Sequence, residues 1–548
     1  PVIVLGTKNG ELRMLYFIPA WYQQNTWCEN EQSWYVRRMH TEFDDTVKQI
    51  QLFHRSKIYP CQLLLLGYSP NLRHFLHRQG VYHAPYWSCF DAIQGIKRKK
   101  MQILSYHNLK WPPHTEFLYT PFAVVAQIEG VKYAQVEFGE DGNPIRVDLF
   151  EQDRVCRRNH YDDRGFLSST VVYEDGRPVY QDYLMENGIW KLRSYLTDGH
   201  VEVNPEYREY TIVYTDCERT VRFLKQQYDS LDQVICEVLA TYLELTDRWD
   251  IFCVAMHEQH AELLRELLPG KLHGQQTILS FFESRYRVDR HPEVREILKR
   301  VGYVVTDSLE NTVRIEGMAG SQDLPVMNIP PYDTRTDFGI SQQLNIQKIL
   351  IPVDGIEETA FREMIAALGR YLPSNEKARV YLFTRQADYD RENRLLEWTR
   401  KCLRELKFPE EWAAGEENGF IAENELEEQT GQPVLFHVVQ CVDELAVSRC
   451  VREQRIMVDM RKQPELYMQI TALSAGIPQI VSRKTQFVRQ GKNGCILKDI
   501  KKLPAVLHYY LGSLTNWNDA MVCSYRLVKQ YTVEVLLEKW KEVIDSVE

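Results

Sequence analysis

Short apolar strand patterns alternate with amphipathic helix patterns in two separate stretches of the chain, and this alternation restricts the fold more than any other feature. The first stretch has strand patterns at 15–18 and 61–66 and resumes between 230 and 306; the second runs from 348 to 511. Parallel strands covered by helices on both faces give this pattern because they are buried on both sides. The chain is therefore predicted to be an α/β protein with two Rossmann-like domains.

The segment between the two stretches has a different pattern, in which apolar and polar residues alternate with the period of two that is typical of β-strands. Between residues 120 and 205, turn dipeptides recur as Asp141-Gly142, Arg164-Gly165, Asp175-Gly176, Asn187-Gly188 and Asp198-Gly199. The last four glycines lie 11, 12 and 11 residues apart, a spacing typical of an antiparallel meander. This segment is predicted to be a β-sheet inserted into the first α/β domain.

These patterns divide the chain into five segments. The first Rossmann-like domain is predicted to comprise residues 14–119 and 206–325, with the extended β-sheet insertion at 120–205 between them. The second Rossmann-like domain is predicted at 326–530, and residues 531–548 are predicted to form a helix that crosses back to the first domain. Residues 1–13 precede the first methionine and are interpreted as an added or upstream segment.

Composition and charge exclude several classes of protein. With 44% hydrophobic and 26% charged residues, the 548-residue chain has the balance of a globular protein. The longest apolar runs fall far short of the ~18 residues that a membrane span needs. The net charge of −10 argues against a general nucleic-acid binder. Eight acids without Lys or Arg lie in 408–433, which predicts an exposed excursion or a docking surface for a basic partner.

Cysteine usage and the start of the sequence favour a cytoplasmic location. The twelve cysteines include no Cys-x-x-Cys, and several stand in apolar surroundings, as in a reducing compartment. The sequence does not begin with a signal-peptide pattern. The basic run Lys97–Lys100 is interpreted as a solvated loop, with peripheral contact to anionic lipid at the inner face of the membrane as the alternative.

Residues 464–499 resemble the donor-binding segment of retaining GT-B glycosyltransferases, in which a helix ends in Glu-Ala-x-Ala-x-Gly-x-Pro and a strand leads to a Gly-Asn-Gly turn. The matching residues are Ala472, Gly476, Pro478, Gly491, Asn493 and Gly494, with Ser474 in place of the second alanine. Small residues let the helix approach the sheet, glycine ends the helix, and proline opens the strand. The resemblance implies a GT-B-like architecture.

The chemistry of that segment depends on two glutamates eight positions apart, of which the first contacts the donor sugar and the second the ribose. The corresponding residues here are Gln463 and Thr471, so both carboxylates are missing. Each lost charge-assisted hydrogen bond costs roughly 1.5–3 kcal/mol of donor binding. The first strand also leads into proline and aromatic residues instead of a glycine-rich phosphate turn. The resemblance therefore implies a fold without catalytic residues and without a cofactor.

Several longer strings look like the first accessory secretion protein of the accessory Sec system, and the likeness spans about residues 14–548. They are MLYFIPAWY from Met14, EFDDTVKQIQLF from Glu42, YTPFAVV from Tyr119, DRGF from Asp163, SST from Ser168 and VEVNP from Val201. The resemblance implies a non-enzymatic, cytosolic partner of the second and third accessory secretion proteins. It also implies work with the accessory motor ATPase in the export of serine-rich repeat glycoprotein adhesins. The β insertion resembles that of the glycosyltransferases that modify those adhesins.

Other residues leave alternatives open: an active retaining glycosyltransferase that uses a nucleotide sugar, or a glycan-binding module. Trp21, Tyr22, Trp34 and Tyr35 crowd one loop near the expected interdomain cleft, where they either stack on a sugar, anchor a partner or cover the core. Arg335 either binds a phosphate or pairs with a neighbouring acid.

A histidine pair and an aspartate pair each allow a functional and a purely structural interpretation. His257 and His260 lack the zincin spacing because position 261 is alanine, so no metal site is predicted and an ordinary surface is favoured. Asp44 and Asp45 are either a catalytic carboxylate pair or, as favoured here, a helix cap and a partner of the helix dipole.

Overall fold

The structure is a computed structural model. It describes residues 7–8, 11–23, 26–29, 43–215, 217–268, 270–320, 323–332, 337–386, 388, 390–413 and 434–547. The chain forms two compact units. The first contains the described residues of 1–37, 45–328 and 541–548, and the second contains those of 38–44 and 329–540.

The first unit combines a parallel and a large antiparallel sheet. Its strands are β1 (Thr7–Lys8), β2 (Glu11–Leu12), β3 (Leu15–Ile18), β4 (Cys61–Leu65), β5 (Tyr86–Ser88), β6 (Thr115–Tyr119), β7 (Ala123–Ile128), β8 (Val131–Phe138), β9 (Pro144–Glu151), β10 (Arg154–Asp162), β11 (Phe166–Glu174), β12 (Arg177–Leu184), β13 (Trp190–Tyr195), β14 (Val201–Val203), β15 (Glu209–Tyr214), β16 (Cys217–Arg222), β17 (Gln227–Tyr228), β18 (Ile251–Ala255), β19 (Thr277–Phe281), β20 (Tyr303–Thr306) and β21 (Val326–Asn328). Its helices are α1 (Asp45–Ser56), α2 (Leu72–Arg78), α3 (Cys89–Gln94), α4 (Leu231–Leu243), α5 (Glu258–Leu267), α6 (Val294–Leu298) and α7 (Leu309–Ala319).

The parallel sheet of the first unit has the strand order β21-β20-β19-β18-β3-β4-β5. Every residue of β3, β18 and β19 is buried, as expected for strands with helices on both faces. Ile251 of β18 is aligned with Leu15 of β3, so segments more than 200 positions apart form the centre of the sheet. The predicted α/β class is confirmed.

The antiparallel sheet is a meander with the order β17-β14-β13-β12-β11-β10-β9-β8-β7-β6. Gly165, Gly176, Gly188 and Gly199 lie in its hairpin turns with φ between 76° and 88°, a conformation that favours glycine. The sheet extends beyond the predicted 120–205 at both ends, because β6 and β17 pair with it. The turn pattern did not reveal β6, since this edge strand is largely exposed and carries no apolar alternation.

The second unit contains a parallel sheet with the order β24-β23-β22-β25-β26-β27. Its strands are β22 (Gln347–Pro352), β23 (Ala378–Thr384), β24 (Phe436–Gln440), β25 (Ile456–Asp459), β26 (Gln479–Val481) and β27 (Gly494–Ile496). Its helices are α8 (Glu358–Tyr371), α9 (Arg391–Glu405), α10 (Glu444–Arg452), α11 (Leu466–Ser474), α12 (Leu503–Leu511), α13 (Leu514–Val528) and α14 (Val533–Ser546). Residues 541–547 at the end of α14 group with the first unit.

Most of the predicted acidic segment 408–433 lies outside the described residues. Within its described part, Glu410 pairs with Arg404 through two hydrogen bonds of 2.7 Å. Among the residues that the structure describes, no helix combines the length and the apolar character that crossing a bilayer requires.

Candidate functional site

The helix end of the donor-like segment is built by the residues that match the enzyme motif. Gly476 follows α11 with a φ of 73°, and its amide donates to the Leu473 carbonyl oxygen at 3.1 Å. A Cβ atom on Gly476 would lie 3.0 Å from Cγ of Met521. Pro478 precedes β26, and its carbonyl oxygen accepts from the Met457 amide at 3.0 Å. These matches support a chain reversal and a strand pairing.

The residues of the Gly-Asn-Gly turn also make their hydrogen bonds within the protein. The fully buried Asn493 side chain donates to the Phe487 carbonyl oxygen at 2.9 Å and accepts from the Arg489 amide at 2.7 Å. The Gly491 amide donates to the Gly494 carbonyl oxygen at 2.9 Å. A Cβ atom on Gly494 would lie 2.0 Å from a backbone oxygen of the neighbouring strand. The turn residues therefore serve close packing.

The two positions predicted to correspond to the enzymes' glutamates lie in different environments. Gln463 is exposed. Thr471 is buried on α11, and its hydroxyl donates to the Tyr467 carbonyl oxygen of its own helix at 2.8 Å. A threonine that bonds one turn back in this way satisfies its hydroxyl internally. Neither residue carries a carboxylate for a ribose or a sugar.

Six charged residues lie at the carboxyl end of the second unit's sheet, and we call them the polar cluster: Asp354, Arg385, Arg391, Asp459, Arg461 and Glu465. Asp459 is fully buried and receives two hydrogen bonds from the Arg461 guanidinium, Nε–Oδ1 at 2.9 Å and Nη2–Oδ2 at 2.7 Å. Burial alone would lower the pKa of Arg461, but the Asp459 carboxylate raises it above the usual value. The Arg461 guanidinium is therefore charged, and the hydrogen bonds to Asp459 stabilise it in the interior.

The rest of the polar cluster is paired in the same way. Arg385 donates through Nε to Glu465 Oε1 at 3.0 Å, and its backbone amide donates to Asp354 Oδ2 at 2.7 Å. Arg391 Nη2 lies 3.0 Å from Asp354 Oδ1. The polar cluster thus matches three guanidinium groups with three carboxylates. An anionic ligand that used these guanidinium groups would have to compete with carboxylates already bound to them.

The sequence motifs did not reveal the polar cluster, although a signal for it exists. Asp354 and Arg385 come just after β22 and β23, and Asp459 is the last residue of β25. In a parallel sheet the carboxyl ends of the strands meet at one edge, where ligands bind in open α/β sheets. Charged residues that directly follow buried strands therefore predict such a cluster.

The aromatic loop of the first unit packs on its own protein. Trp21 has its ring 4.7 Å from that of Phe75, and the Tyr22 hydroxyl lies 2.9 Å from Nε2 of His260. The Tyr22 ring occupies the space beside Gly67, where a Cβ atom would approach it to 2.6 Å. These contacts favour a cover over the core for Trp21 and Tyr22. The other predicted contact residues, Trp34, Tyr35 and Arg335, lie outside the described residues.

The ordinary surface expected for the two histidines is wrong for His260. Its ring is buried, with Nδ1 2.6 Å from the Ala255 carbonyl oxygen. Burial lowers the pKa of His260 to about 3 and that of His257 to about 4, so both rings are neutral at pH 7. Within the described ranges, no cluster of three or more His, Cys, Asp or Glu residues could hold a metal ion.

Asp45 lies in the first turn of α1, where a partner of the helix dipole is expected, and its side chain also binds residues far along the chain. It is buried and accepts hydrogen bonds from Arg285 Nη1 at 2.7 Å and Nη2 at 2.8 Å, and from the Ser280 hydroxyl. Burial alone would raise the pKa of Asp45, but Arg285 holds it below its usual value. The pair joins α1 to a loop 240 positions later, so no local pattern could predict it.

Sequence comparisons identify relatives over nearly the whole chain. The family model described as the accessory Sec system protein, accessory secretory protein 1, matches residues 14–546. The protein of that name from Streptococcus gordonii is 33% identical over 97% of this chain and 100% of its own length. The one from Staphylococcus aureus is 31% identical over 97% of this chain and 99% of its own length.

Structural comparisons agree with the sequence comparisons. The crystal structure of accessory secretory proteins 1, 2 and 3 of Streptococcus pneumoniae contains a chain with a TM-score of 0.79 and 28% identity, covering 97% of this chain and 99% of that one. A chain of the Glycosylation Associate Protein complex from Streptococcus agalactiae has a TM-score of 0.77 and 29% identity, covering 97% and 100%. The pneumococcal O-GlcNAc transferase GtfA, at a TM-score of 0.59 and 12% identity over 98% and 99%, shares the fold alone. The predicted GT-B-like fold is confirmed.

Proposed function

The chain belongs to the accessory secretory protein 1 family of the accessory Sec system, and on that premise we propose that it is a non-catalytic scaffold. Its role is to bind the second and third accessory secretory proteins and, with the accessory motor ATPase, to assist the export of serine-rich repeat glycoprotein adhesins. The proposed location is the cytoplasm, with peripheral contact at the inner face of the membrane.

The observation that carries the non-catalytic assignment is the polar cluster beside the donor-like segment. Its guanidinium groups, the ones suited to a donor diphosphate, already bind carboxylates of the same unit. The position corresponding to the ribose-binding glutamate is Thr471, whose hydroxyl is bonded within its own helix. The motif residues that remain, Gly476 and Pro478, act in folding. In this proposal the remaining motif residues stabilise the GT-B-like fold and do not bind a donor.

The partner assignment is supported by the relatives. The two solved structures with the higher similarity are both complexes, one of which contains accessory secretory proteins 1, 2 and 3. The identity to these chains is 29% and 28%, over nearly the whole length of both chains. We therefore assign the second and third accessory secretory proteins as the direct partners.

Co-purification tests the partner assignment. The full chain, carrying a tag, is co-expressed with the second and third accessory secretory proteins of its own organism, and the captured material is analysed by size exclusion with light scattering. We expect one complex that contains all three chains. A monomeric tagged chain, with both partners folded and in solution, would contradict the assignment.

Export is tested separately in cells that lack the gene for this chain. Restoring the wild-type chain should restore secretion of the serine-rich adhesin, measured by immunoblot of the medium. A variant with Gln463→Ala, which removes the exposed amide at the first donor-like position, should restore secretion equally well. Loss of secretion with this variant, at unchanged protein level, would point to ligand binding at that position.

A further inference from the structure

Three basic residues stand side by side on neighbouring strands of the second unit's sheet, and we call Arg379, Lys348 and Arg455 the basic row. Lys348 of β22 is aligned with Arg379 of β23. Arg455 directly precedes β25, and its amide donates to the Lys348 carbonyl oxygen at 2.8 Å. The next residues, Ile349 and Ile456, are aligned with each other. Because strands lie about 4.8 Å apart and aligned residues share a face, the three cationic side chains are neighbours.

Two residues of the basic row are enclosed by the protein. Lys348 is 3% exposed and Arg455 is 8% exposed. Lys348 Nζ donates to Glu453 Oε2 at 2.9 Å. The Arg455 guanidinium lies against the Trp517 ring of α13, with Cζ 5.1 Å from the ring centroid, and its enclosed Nε has no acceptor. Within the part of the chain that the structure describes, the Arg455 guanidinium therefore has an aromatic neighbour and no carboxylate partner.

The positive charge of the basic row is not balanced. Arg379 donates through Nη1 to the carbonyl oxygens of Glu376 and Ala378, both at 2.8 Å, and to no carboxylate among the described residues. Glu453 supplies the one carboxylate that the described residues bring to the row. Three cations and one carboxylate leave two positive charges. Like charges on neighbouring strands repel each other, and a buried charge without a counter-ion is destabilising.

The directions of the pKa shifts agree with an unbalanced positive charge. Burial lowers the pKa of Arg379 and that of Arg455 below the usual value. Burial, together with the charges of Arg379 and Lys348, lowers the pKa of His437 on β24 to about 4. The His437 ring is therefore neutral at pH 7, so the charge beside it comes from the basic row itself.

We propose that the basic row is a binding site for a small dianion of the phosphate class. The fork of donors on a guanidinium matches the oxygens of a phosphate group, and the lysine ammonium adds a compact charge. Two negative charges on the ligand would balance the two open charges of the row and give Arg455 Nε an acceptor. Arg379 and Glu453 are partly exposed, so solvent reaches the row from their side.

The basic row lies at the opposite end of the sheet from the polar cluster. Arg455 comes just before β25 and Asp459 ends it, so roughly 13 Å of strand separates them. A nucleotide sugar does not offer the required dianion, because each of its two phosphates is bonded on both sides and carries a single negative charge. The proposal goes beyond the proposed function and does not depend on it.

Isothermal titration calorimetry on the full chain tests the site. The protein is dialysed into phosphate-free buffer at about pH 8, where a phosphate group carries two charges. It is then titrated with orthophosphate and, separately, with sulfate. We expect saturable binding of both ions, with one site per chain. Adenosine monophosphate separates the two sources of such a group: binding of similar strength assigns a phosphate monoester, and no binding assigns the free ion.

Three variants complete the test. Arg455→Met keeps the length of the side chain but removes its charge, and it should weaken orthophosphate binding by about tenfold or more. Arg379→Met should also weaken binding, and this partly exposed position keeps the test valid if Arg455→Met unfolds the chain. The control, Arg404→Met, removes an exposed arginine of α9 and should leave binding unchanged.

Two results would overturn the proposal. One is the absence of saturable heat with both orthophosphate and sulfate in the wild-type chain. The other is equal orthophosphate affinity of the wild type and the folded variants of the basic row, or an equal loss of affinity in Arg404→Met.

Discussion

Arg164 joins two parts of the first unit, and its replacement by methionine should destabilise that unit. The Arg164 guanidinium donates to Asp91 of α3 through Nη1 and Nη2, both at 2.8 Å, and to Asp162 of β10 through Nε at 2.7 Å. Asp162 is buried, with 4% of its surface exposed. The ion pairs therefore hold the antiparallel sheet against the helix before it.

The loss in the free energy of unfolding comes mainly from the Asp162 carboxylate, which Arg164→Met leaves buried without its guanidinium partner. Methionine keeps most of the apolar volume, so the main loss is the partner of a buried carboxylate. Removing one member of a buried pair costs about 3–5 kcal/mol in the free energy of unfolding. A double variant, Arg164→Met with Asp162→Asn, leaves no buried charge at Asp162 and should recover part of this loss.

Urea unfolding of the full chain, followed by circular dichroism, measures the effect on the first unit's transition. The matched control is Arg157→Met on β10, the strand that ends at Asp162; the Arg157 side chain is exposed, so the change should stay within about 0.5 kcal/mol. Equal unfolding midpoints for Arg164→Met and Arg157→Met would show that the Arg164 ion pairs do not stabilise the first unit. So would a double variant that is less stable than Arg164→Met alone.

Three further substitutions test a buried carboxylate, a tightly packed glycine and a buried hydrogen bond. Burial and a neighbouring carboxylate raise the pKa of Asp163 to about 7, so the folded state keeps a proton that the unfolded state has lost. Stability should therefore fall as pH rises from about 4 to about 7, and Asp163→Asn should flatten that fall in thermal melts across this range. Gly494→Ala should destabilise the second unit by about 1–3 kcal/mol in urea unfolding, because the added methyl group meets a backbone oxygen. The control is Gly491→Ala, where the added methyl group meets no atom within 4 Å. It should cost only about 1–2 kcal/mol, since alanine is strained at the positive φ of this position. Tyr22→Phe should cost about 1 kcal/mol, since it removes the hydrogen bond to His260; an unchanged urea midpoint would exclude that bond as a stabilising contact.

Local sequence patterns predicted most of the parallel-sheet elements because burial on both faces is visible residue by residue. The helix that the donor-like segment 464–499 implies is observed as α11, Leu466–Ser474. Helix α13 was missed, although Ser513 caps it and Trp517, Ala520, Ser524 and Leu527 form its buried face. Its signal is weak because Met521, Val522 and Cys523, between Ala520 and Ser524, are also apolar and obscure the helical period.

The charged pairs show the limit of such patterns. The helix start indicated a cap and a dipole partner at Asp44 and Asp45, but it could not indicate the ion pair of Asp45 with Arg285, which lies 240 positions away and is brought close only by the fold. The residues of the polar cluster likewise follow strands that are far apart in the sequence, so only the fold brings them together. The donor-like segment is a different case, because its residues are contiguous. There the sequence predicts both the packing residues and, at Gln463 and Thr471, positions without the carboxylates of the enzymes.

If the GT-B-like fold of this chain serves as a scaffold, the protein carries out no sugar transfer. The most direct measurement is a sugar-transfer assay with the full chain, a panel of nucleotide sugars that includes UDP-GlcNAc, and a serine-rich peptide, with donor binding followed by calorimetry in the same buffer. We predict no transfer above the peptide-only control and no saturable heat of donor binding. Saturable donor binding together with transfer of the sugar to the peptide would contradict the account.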